Sequence, residues 1–314
     1  MFYEIGLALY TAFTEKRPEA NVPSEYKQIA GHVAAKCGWG TRFNAVEMRG
    51  TVKRLPENRK VMIALSGGLD SVYLMYKLQE QGYDVTAVHV AGLNKSSSSF
   101  EERYARDAAR KAGAKYIPAK FKAPRQVFPD NPFKNQLILS IMLDIGIARG
   151  IYRYAIGSDW TTPLSEAVVG FTITDSAEVY LAFWNGVRKR FEQAELVFIP
   201  DNEKKYERLQ YLFDKGALEC VSSCISPLRF RESLHVKNEQ KYHIKLMPGR
   251  CGSCYKCAME YILLVEAGKI AKNPAFYAHC WDTLATSKTA HRPDLFAKSL
   301  PLEKRLRNLR NYGS

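Results

Sequence analysis

The stretch "KVMIALSGGLDSVYLMYKL", residues 60–78, decides how the rest of the chain is read. An apolar run, "VMIAL", is broken by Ser66-Gly67-Gly68-Leu69-Asp70-Ser71, and a helical pattern resumes at once in "SVYLMYKLQEQG". A strand that ends in this way and turns straight into a helix leaves a concave row of backbone N–H groups. Glycine lets the backbone come close to a ligand and adopt conformations barred to other residues. The helix that follows aims its positive end at the same spot, so the turn from Ala64-Leu65 into Ser71 reads as an anion site, most naturally for phosphate. Ser66 and Ser71 add hydroxyls, and Asp70 suits a metal-holding or loop-orienting role. The plain alternative is a tight turn with Asp70 or Ser71 capping the helix. Two common phosphate motifs are excluded: no Lys stands where the P-loop needs one, and the three spaced glycines of the dinucleotide fingerprint are missing.

Working outward, strands and helices alternate. "DVTAVHVAGL" reads as a strand, "SFEERYARDAARKAGA" as an amphipathic helix, and "KYIPAKF" as a strand. "NPFKNQLILSIMLDIGIARGI" is a long apolar helix, followed by strand "RYAIGS", helix "SAEVYLAFWNGVRKRFEQA" and strand "ELVFIP". This order predicts an α/β fold with a doubly wound, mostly parallel sheet covered on both faces. Ligands of such sheets bind beyond the carboxyl ends of the strands, which puts Asn94, at the end of "AGLN", beside the ligand of the turn. His89, within that strand, reads as a core histidine. The chain divides into an N-terminal extension (1–58), the α/β domain (59–215), a cysteine-bearing region (216–265) and a basic helical C-terminal extension (266–314).

At 314 residues, with 46% hydrophobic and 25% charged residues, the composition is that of a globular protein rather than a disordered one. The net charge of +14 favours anionic partners without choosing among nucleotides, nucleic acid and acidic proteins. From Lys288 the tail carries seven Lys or Arg against two acids, with Leu300, Leu302, Leu306 and Leu309 interleaved with Arg305, Arg307 and Arg310. It reads either as a packed amphipathic helix or as a docking surface for nucleic acid or an acidic partner. No run approaches the length of a membrane span, and the N-terminal apolar segment lacks a basic start, so a cytoplasmic protein without a membrane partner is expected.

Five of the seven cysteines fall within residues 220–257. "RCGSCYKC" spaces Cys251, Cys254 and Cys257 three apart, and "CVSSC" adds Cys220 and Cys224. Three close thiolates and one distant one suit a closed tetrahedral zinc site, while an iron–sulfur cluster is the competing reading. Cys220 and Cys224 compete for the fourth position. Cys37 and Cys280 read as isolated buried thiols.

SGGLDS after the first strand of an alternating pattern resembles the pyrophosphate loop of the ATP pyrophosphatase superfamily, whose members share an adenine nucleotide alpha hydrolase-like fold and split ATP between its α and β phosphates. Together with "KNQLILSIMLDIGIARG" (134–150), "YAIGS" (154–158), Ser223-Cys224 and "CGSCYKC" (251–257), it resembles 7-cyano-7-deazaguanine synthase over about residues 59–265. That resemblance implies that Ser66, Gly67, Gly68 and Ser71 hold the pyrophosphate of ATP while Asp70 helps position it with Mg2+, that Ser66, Asp70 and Ser71 serve catalysis, and that Ala64, Leu65, Leu69, Asn94 and Asn135 contribute to the nucleotide site. It implies structural Zn2+ on Cys224, Cys251, Cys254 and Cys257. It further implies adenylation of a 7-carboxy-7-deazaguanine carboxylate and its conversion with ammonia, through an amide, to the nitrile, in a protein that forms a homodimer.

The sequence departs from that family around the base pocket. Asp159 stands where Asn is expected, and "ITDS" lacks the family's cysteine. Asp175 is the counterpart of a base-contacting aspartate and Glu178 lies on the same side, with helix capping as the alternative role for both. These departures leave room for an ATP-dependent tRNA-modifying, thiolating enzyme. They also leave room for a specialised relative that conjugates the deazapurine or serves DNA modification or defence, and for a non-catalytic nucleotide- or nucleic-acid-binding relative.

Overall fold

The computed structural model describes residues 2–14, 18–47, 50–93, 98–121, 133–158, 176–198, 205–222, 224, 226 and 228–286. Its centre is a five-stranded, all-parallel sheet in the order β5-β4-β3-β6-β7, formed by β3 (Lys60–Ala64), β4 (Asp84–Ala91), β5 (Lys115–Lys120), β6 (Arg153–Ile156) and β7 (Glu195–Val197). The chain winds outward from β3 through α3 (Leu69–Glu80), β4 and α4 (Ser98–Ala112) to β5. It then returns through α5 (Lys134–Ile147) to β6, on the other side of β3, and continues through α6 (Ala177–Arg188) to β7. The direction of winding therefore reverses between β3 and β6, and the crevice beyond their carboxyl ends is the natural ligand position of such a sheet.

Period-two alternation on fully buried strands divides the core into two layers. Met62, Val88, Tyr154 and Ile156 face a cluster with α5 and α6, while Val61, Ile63, Val85, Ala87 and Ala155 face α3, α4 and α7 (Lys205–Asp214). The expected alternation of strands and helices from residue 59 is thus the observed one, and the fold is α/β with a parallel sheet.

The N-terminal residues add a layer on the α5/α6 side. α1 (Phe2–Thr14) lies along α5 so closely that a Cβ on Gly6 would stand 2.4 Å from Ser140 Oγ. The Asp144 carboxylate on α5 accepts from the backbone N–H groups of Phe2 and Tyr3, at 3.0 Å each, and so caps α1 from another helix. β1 (Glu19–Pro23) and β2 (Arg42–Val46) form a small parallel sheet around α2 (Ser24–Lys36), which docks on α6 through Tyr26 Oη donating to Phe183 O at 2.8 Å.

Beyond α7, a 3-10 turn (Leu218–Cys220) leads into α8 (Leu228–Tyr242), α9 (Tyr255–Glu266) and α10 (Pro274–Thr286), the last two packed together around Ile262, Phe276 and Cys280. No helix among the described residues is long and apolar enough to cross a membrane. The basic tail after Thr286 lies outside the described residues, as do Asn94, Asp159 and Asp175.

Candidate active site

The turn after β3 is held by its own serines. Ser66 N–H donates to Ser71 Oγ (3.3 Å), Ser71 Oγ donates to Gly68 O (3.1 Å), and the two hydroxyls lie 3.1 Å apart. Gly68 N–H points at Ser66 Oγ at 3.2 Å. The two glycines do different work. Gly67 has φ +75°, and a Cβ there would stand 2.8 Å from Ala105 N and from Tyr104 Cβ on α4. Gly68, the residue before α3, has φ −79°, and its Cβ would meet only Ser66 Oγ at 3.2 Å, on the cavity side of the turn. Gly157 closes the crevice from β6, its missing side chain leaving room for Ser71, whose N would lie 2.5 Å from a Cβ at that position. On β4, the buried His89 donates through Nδ1 to Leu65 O at 2.9 Å, just before the turn, so this histidine belongs to the core and not to the ligand surface.

Ser66, Gly68, Leu69, Asp70 and Ser71 line a cavity of about 270 Å³ together with Glu101, Gly157, Lys205, Ser222, Cys224, Lys256 and Glu260. Asp70 is gripped by two cations from α7: Arg208 Nη1 donates to Oδ1 at 2.9 Å and Lys205 Nζ lies 3.4 Å from Oδ2. Arg208 is 1% exposed. Burial works against the Asp70 charge, but Lys205 and Arg208 outweigh it and hold the carboxyl below its ordinary range. Asp70 in this state orients the turn and α7 against each other. Lys205, Arg208 and Lys256 carry no motif signal: the first two sit in a helix without one, 138 positions from Asp70 in the case of Arg208, and Lys256 lies between two cysteines of a metal-type spacing.

Asn135 is half-buried in the first turn of α5 and is not among the residues lining this cavity. Glu178 is exposed in the first turn of α6, where its carboxylate accepts from Ser176 Oγ at 2.9 Å, the geometry of a helix start.

The clustered thiols are Cys224, Cys251, Cys254 and Cys257, with all four Sγ atoms within 4.8 Å of one another. Cys220, half-buried beside Lys111 and Glu219, stands outside the set, so the fourth clustered thiol is that of Cys224. Cys224 and Cys254 sulfurs are 3.9 Å apart and Cys251 and Cys257 sulfurs 4.0 Å. A regular tetrahedron of sulfurs about 2.3 Å from a central ion has edges of about 3.8 Å, so the donor set fits one tetrahedral metal ion. Backbone N–H groups of Ser253 and Cys254 donate to Cys251 Sγ at 3.3 and 3.2 Å, and Ser226 Oγ lies 3.0 Å away, all favouring thiolate. Contacts from Cys251, Cys254 and Cys257 hold the Cys224 thiol below its ordinary range, while those from Cys224 and Cys251 push Cys257 above it. Cys224 also lines the cavity of the turn, so the cysteine set and the anion-binding turn share a wall.

Residues 59–144 match the family model of the tRNA methyl transferase HUP domain. Over 82 residues the chain is 32% identical to the tRNA(Ile)-lysidine synthase of Chlamydia pneumoniae, a stretch that is 26% of this chain and 25% of that enzyme. The chain thus spans about a quarter of that relative's length. Among solved structures, the U34-tRNA thiolase NcsA from Methanococcus maripaludis with its 4Fe-4S cluster aligns at a TM-score of 0.41 and 20% identity, covering 61% of this chain and 70% of that one. The matched region holds β3, the 66–71 turn, α3, β4, α4 and β5, so the likeness to a HUP domain falls on the part of the sheet that carries the anion-binding turn.

Proposed function

We propose that this protein is an ATP-dependent PP-loop enzyme that modifies a nucleobase of tRNA by adenylating an oxygen of the base. The observation that carries this reading is the cavity in which the 66–71 turn and the start of α3 face Lys205 and Lys256, a setting made for a polyanion. In the reaction, the base oxygen attacks the α-phosphorus, the bond to the bridging β-oxygen breaks, and pyrophosphate departs with the electron pair. AMP becomes the leaving group of the activated carbon, which a nucleophile then attacks. Ser66, Ser71 and the turn amides orient and stabilise the departing anion. The tRNA substrate class draws on the tRNA(Ile)-lysidine synthase likeness, the tRNA methyl transferase HUP domain match and the net charge of +14. The four clustered thiols all point at one another, so a sulfur or amine nucleophile comes from elsewhere.

A second reading, conversion of a 7-carboxy-7-deazaguanine-like acid to its nitrile with ammonia, is favoured by the closed four-sulfur set. Such a set suits Zn2+ held structurally by Cys224, Cys251, Cys254 and Cys257 better than a cluster whose four irons would spread the thiolates. Zinc there would tie α9 to the segment before α8. The two readings separate in one experiment: MgATP with unmodified tRNA, or with 7-carboxy-7-deazaguanine and ammonium, following AMP, pyrophosphate and the modified base by mass spectrometry. AMP release that depends on tRNA supports the first reading, and AMP with nitrile supports the second. Absence of AMP under both conditions rejects both.

A further inference from the structure

Lys256 is the second residue of α9, between Cys254 and Cys257 in sequence, and its half-buried side chain lines the cavity of the 66–71 turn. Among the described residues it makes no ion pair. Two of the three carboxylates of the cavity are already engaged by other cations. Asp70 is held by Arg208 and Lys205, Glu260 is bound to the buried Arg250 at 3.0 Å, and Glu101 sits on α4. Its electrostatic setting is mixed: burial, the Lys205 charge and the positive end of α9 work against the ammonium, while Asp70, Cys254 and Glu260 favour it. With no ion pair of its own among the described residues, its ammonium is left to meet an anion entering the cavity.

We propose that Lys256, with Lys205, is a second phosphate grip of the ATP site, holding the departing pyrophosphate from α9 and α7 while the 66–71 turn holds it from α3. As the α–β bridging bond breaks, the negative charge that builds on the β-phosphate meets the Lys256 ammonium, with no proton transfer required. The assignment explains why a lysine stands inside the cysteine motif: the turn that carries Cys251 and Cys254 sets the start of α9 and so aims Lys256. It rests on the ATP-using reading given above.

The test is calorimetric titration of the full chain with magnesium pyrophosphate and, separately, with AMP, on wild type, Lys256→Met and Lys256→Arg, with metal content measured for each. A charge-assisted hydrogen bond predicts roughly a 10- to 100-fold loss of pyrophosphate affinity in Lys256→Met. AMP binding and metal content should stay unchanged, and Lys256→Arg should recover most of the affinity. Wild-type binding of pyrophosphate with equal binding by Lys256→Met overturns this proposal and leaves the ATP reading standing. Failure of the wild type to bind pyrophosphate or MgATP overturns that reading as well. Should Lys256→Met lose metal, Lys205→Met decides on the same scale, and unchanged pyrophosphate affinity there overturns the proposal.

Discussion

Replacing each glycine of the 66–71 turn by alanine should separate folding from ligand binding. At Gly67, φ of +75° costs an L-residue about 1–2 kcal/mol. The new Cβ would also lie 2.8 Å from Ala105 N and Tyr104 Cβ, both anchored in α4, so overpacking adds roughly 1–3 kcal/mol. Gly67→Ala should therefore destabilise by about 3 kcal/mol. At Gly68 the backbone is already in a region open to alanine, and the nearest atom to a Cβ is Ser66 Oγ at 3.2 Å, at the end of a side chain able to rotate. Loss of glycine at a helix N-cap costs about 1 kcal/mol or less. That Cβ, however, intrudes where the turn's amides must approach an anion. Gly68→Ala should therefore fold nearly as the wild type does and bind MgATP at least about tenfold more weakly, the cost of one displaced charge-assisted contact. Urea unfolding and calorimetry with MgATP measure the two effects. Gly68→Ala with wild-type ATP affinity, or Gly67→Ala with wild-type stability, would refute the division of labour between the glycines.

Asp70→Asn should cost roughly 3 kcal/mol at pH 7 by stranding the buried Arg208. Because the folded carboxyl titrates below its ordinary 3.8, its contribution is present above that pH and is lost as pH falls through the lower folded value. The urea midpoints of wild type and variant should therefore converge in acid, and a constant gap from pH 7 to pH 3 would contradict the ion-pair account. Asp144→Ala removes the cap on α1 and should cost about 1 kcal/mol, read as a lower thermal midpoint together with faster proteolysis within residues 2–14. Tyr26→Phe deletes one buried hydrogen bond, to the helical carbonyl of Phe183, so about 1 kcal/mol is expected in the same melting experiment.

The sheet was legible because each of its central strands is a short apolar run and each crossover is long enough to be a helix, so local pattern and global topology agree. The N-terminal layer was not, although α5 held a clue. "LILSIMLDIGI" is apolar nearly all round, more than a helix lying against a sheet on one face requires. The excess is what α1 covers, with Gly6 and Ser140 permitting the close approach. In the site, the turn was legible because glycine and serine spacing is local chemistry. Its charge partners were not: Arg208 and Lys205 reach Asp70 from a helix with no motif, and only the packing of α7 against α3 brings them there. Spacing alone left Cys220 and Cys224 equivalent, and the positions of their side chains, Cys220 beside Lys111 and Cys224 among the other three sulfurs, separate them.

Hydrogen bonds at Ser222 and Cys224 link the thiolate set to the anion-binding turn. Ser222 N–H donates to Gly67 O at 2.8 Å, so the segment before Cys224 forms part of the turn's support. The segment is held by two arginines close to the cysteines, one bound to the Cys224 carbonyl and the other next to Cys251 in the chain. Arg231 Nη2 donates to Cys224 O and Ser226 O at 3.0 and 3.1 Å, and Arg250, the residue before Cys251, donates through Nη1 to Leu218 O at 3.1 Å and to Val221 O. A metal ion drawing the four sulfurs together would therefore fix both ends of a lever that ends on Gly67. Removing it with a chelator should loosen the turn even though no ligand of the ion touches the phosphate. By linkage, metal and pyrophosphate then raise each other's affinity by the same factor. The expected result is at least a tenfold weaker pyrophosphate affinity in chelated protein, restored on adding zinc. Equal affinity with and without metal would show that the cysteine set only staples α9 to the segment before α8, and that the turn stands on its own hydrogen bonds.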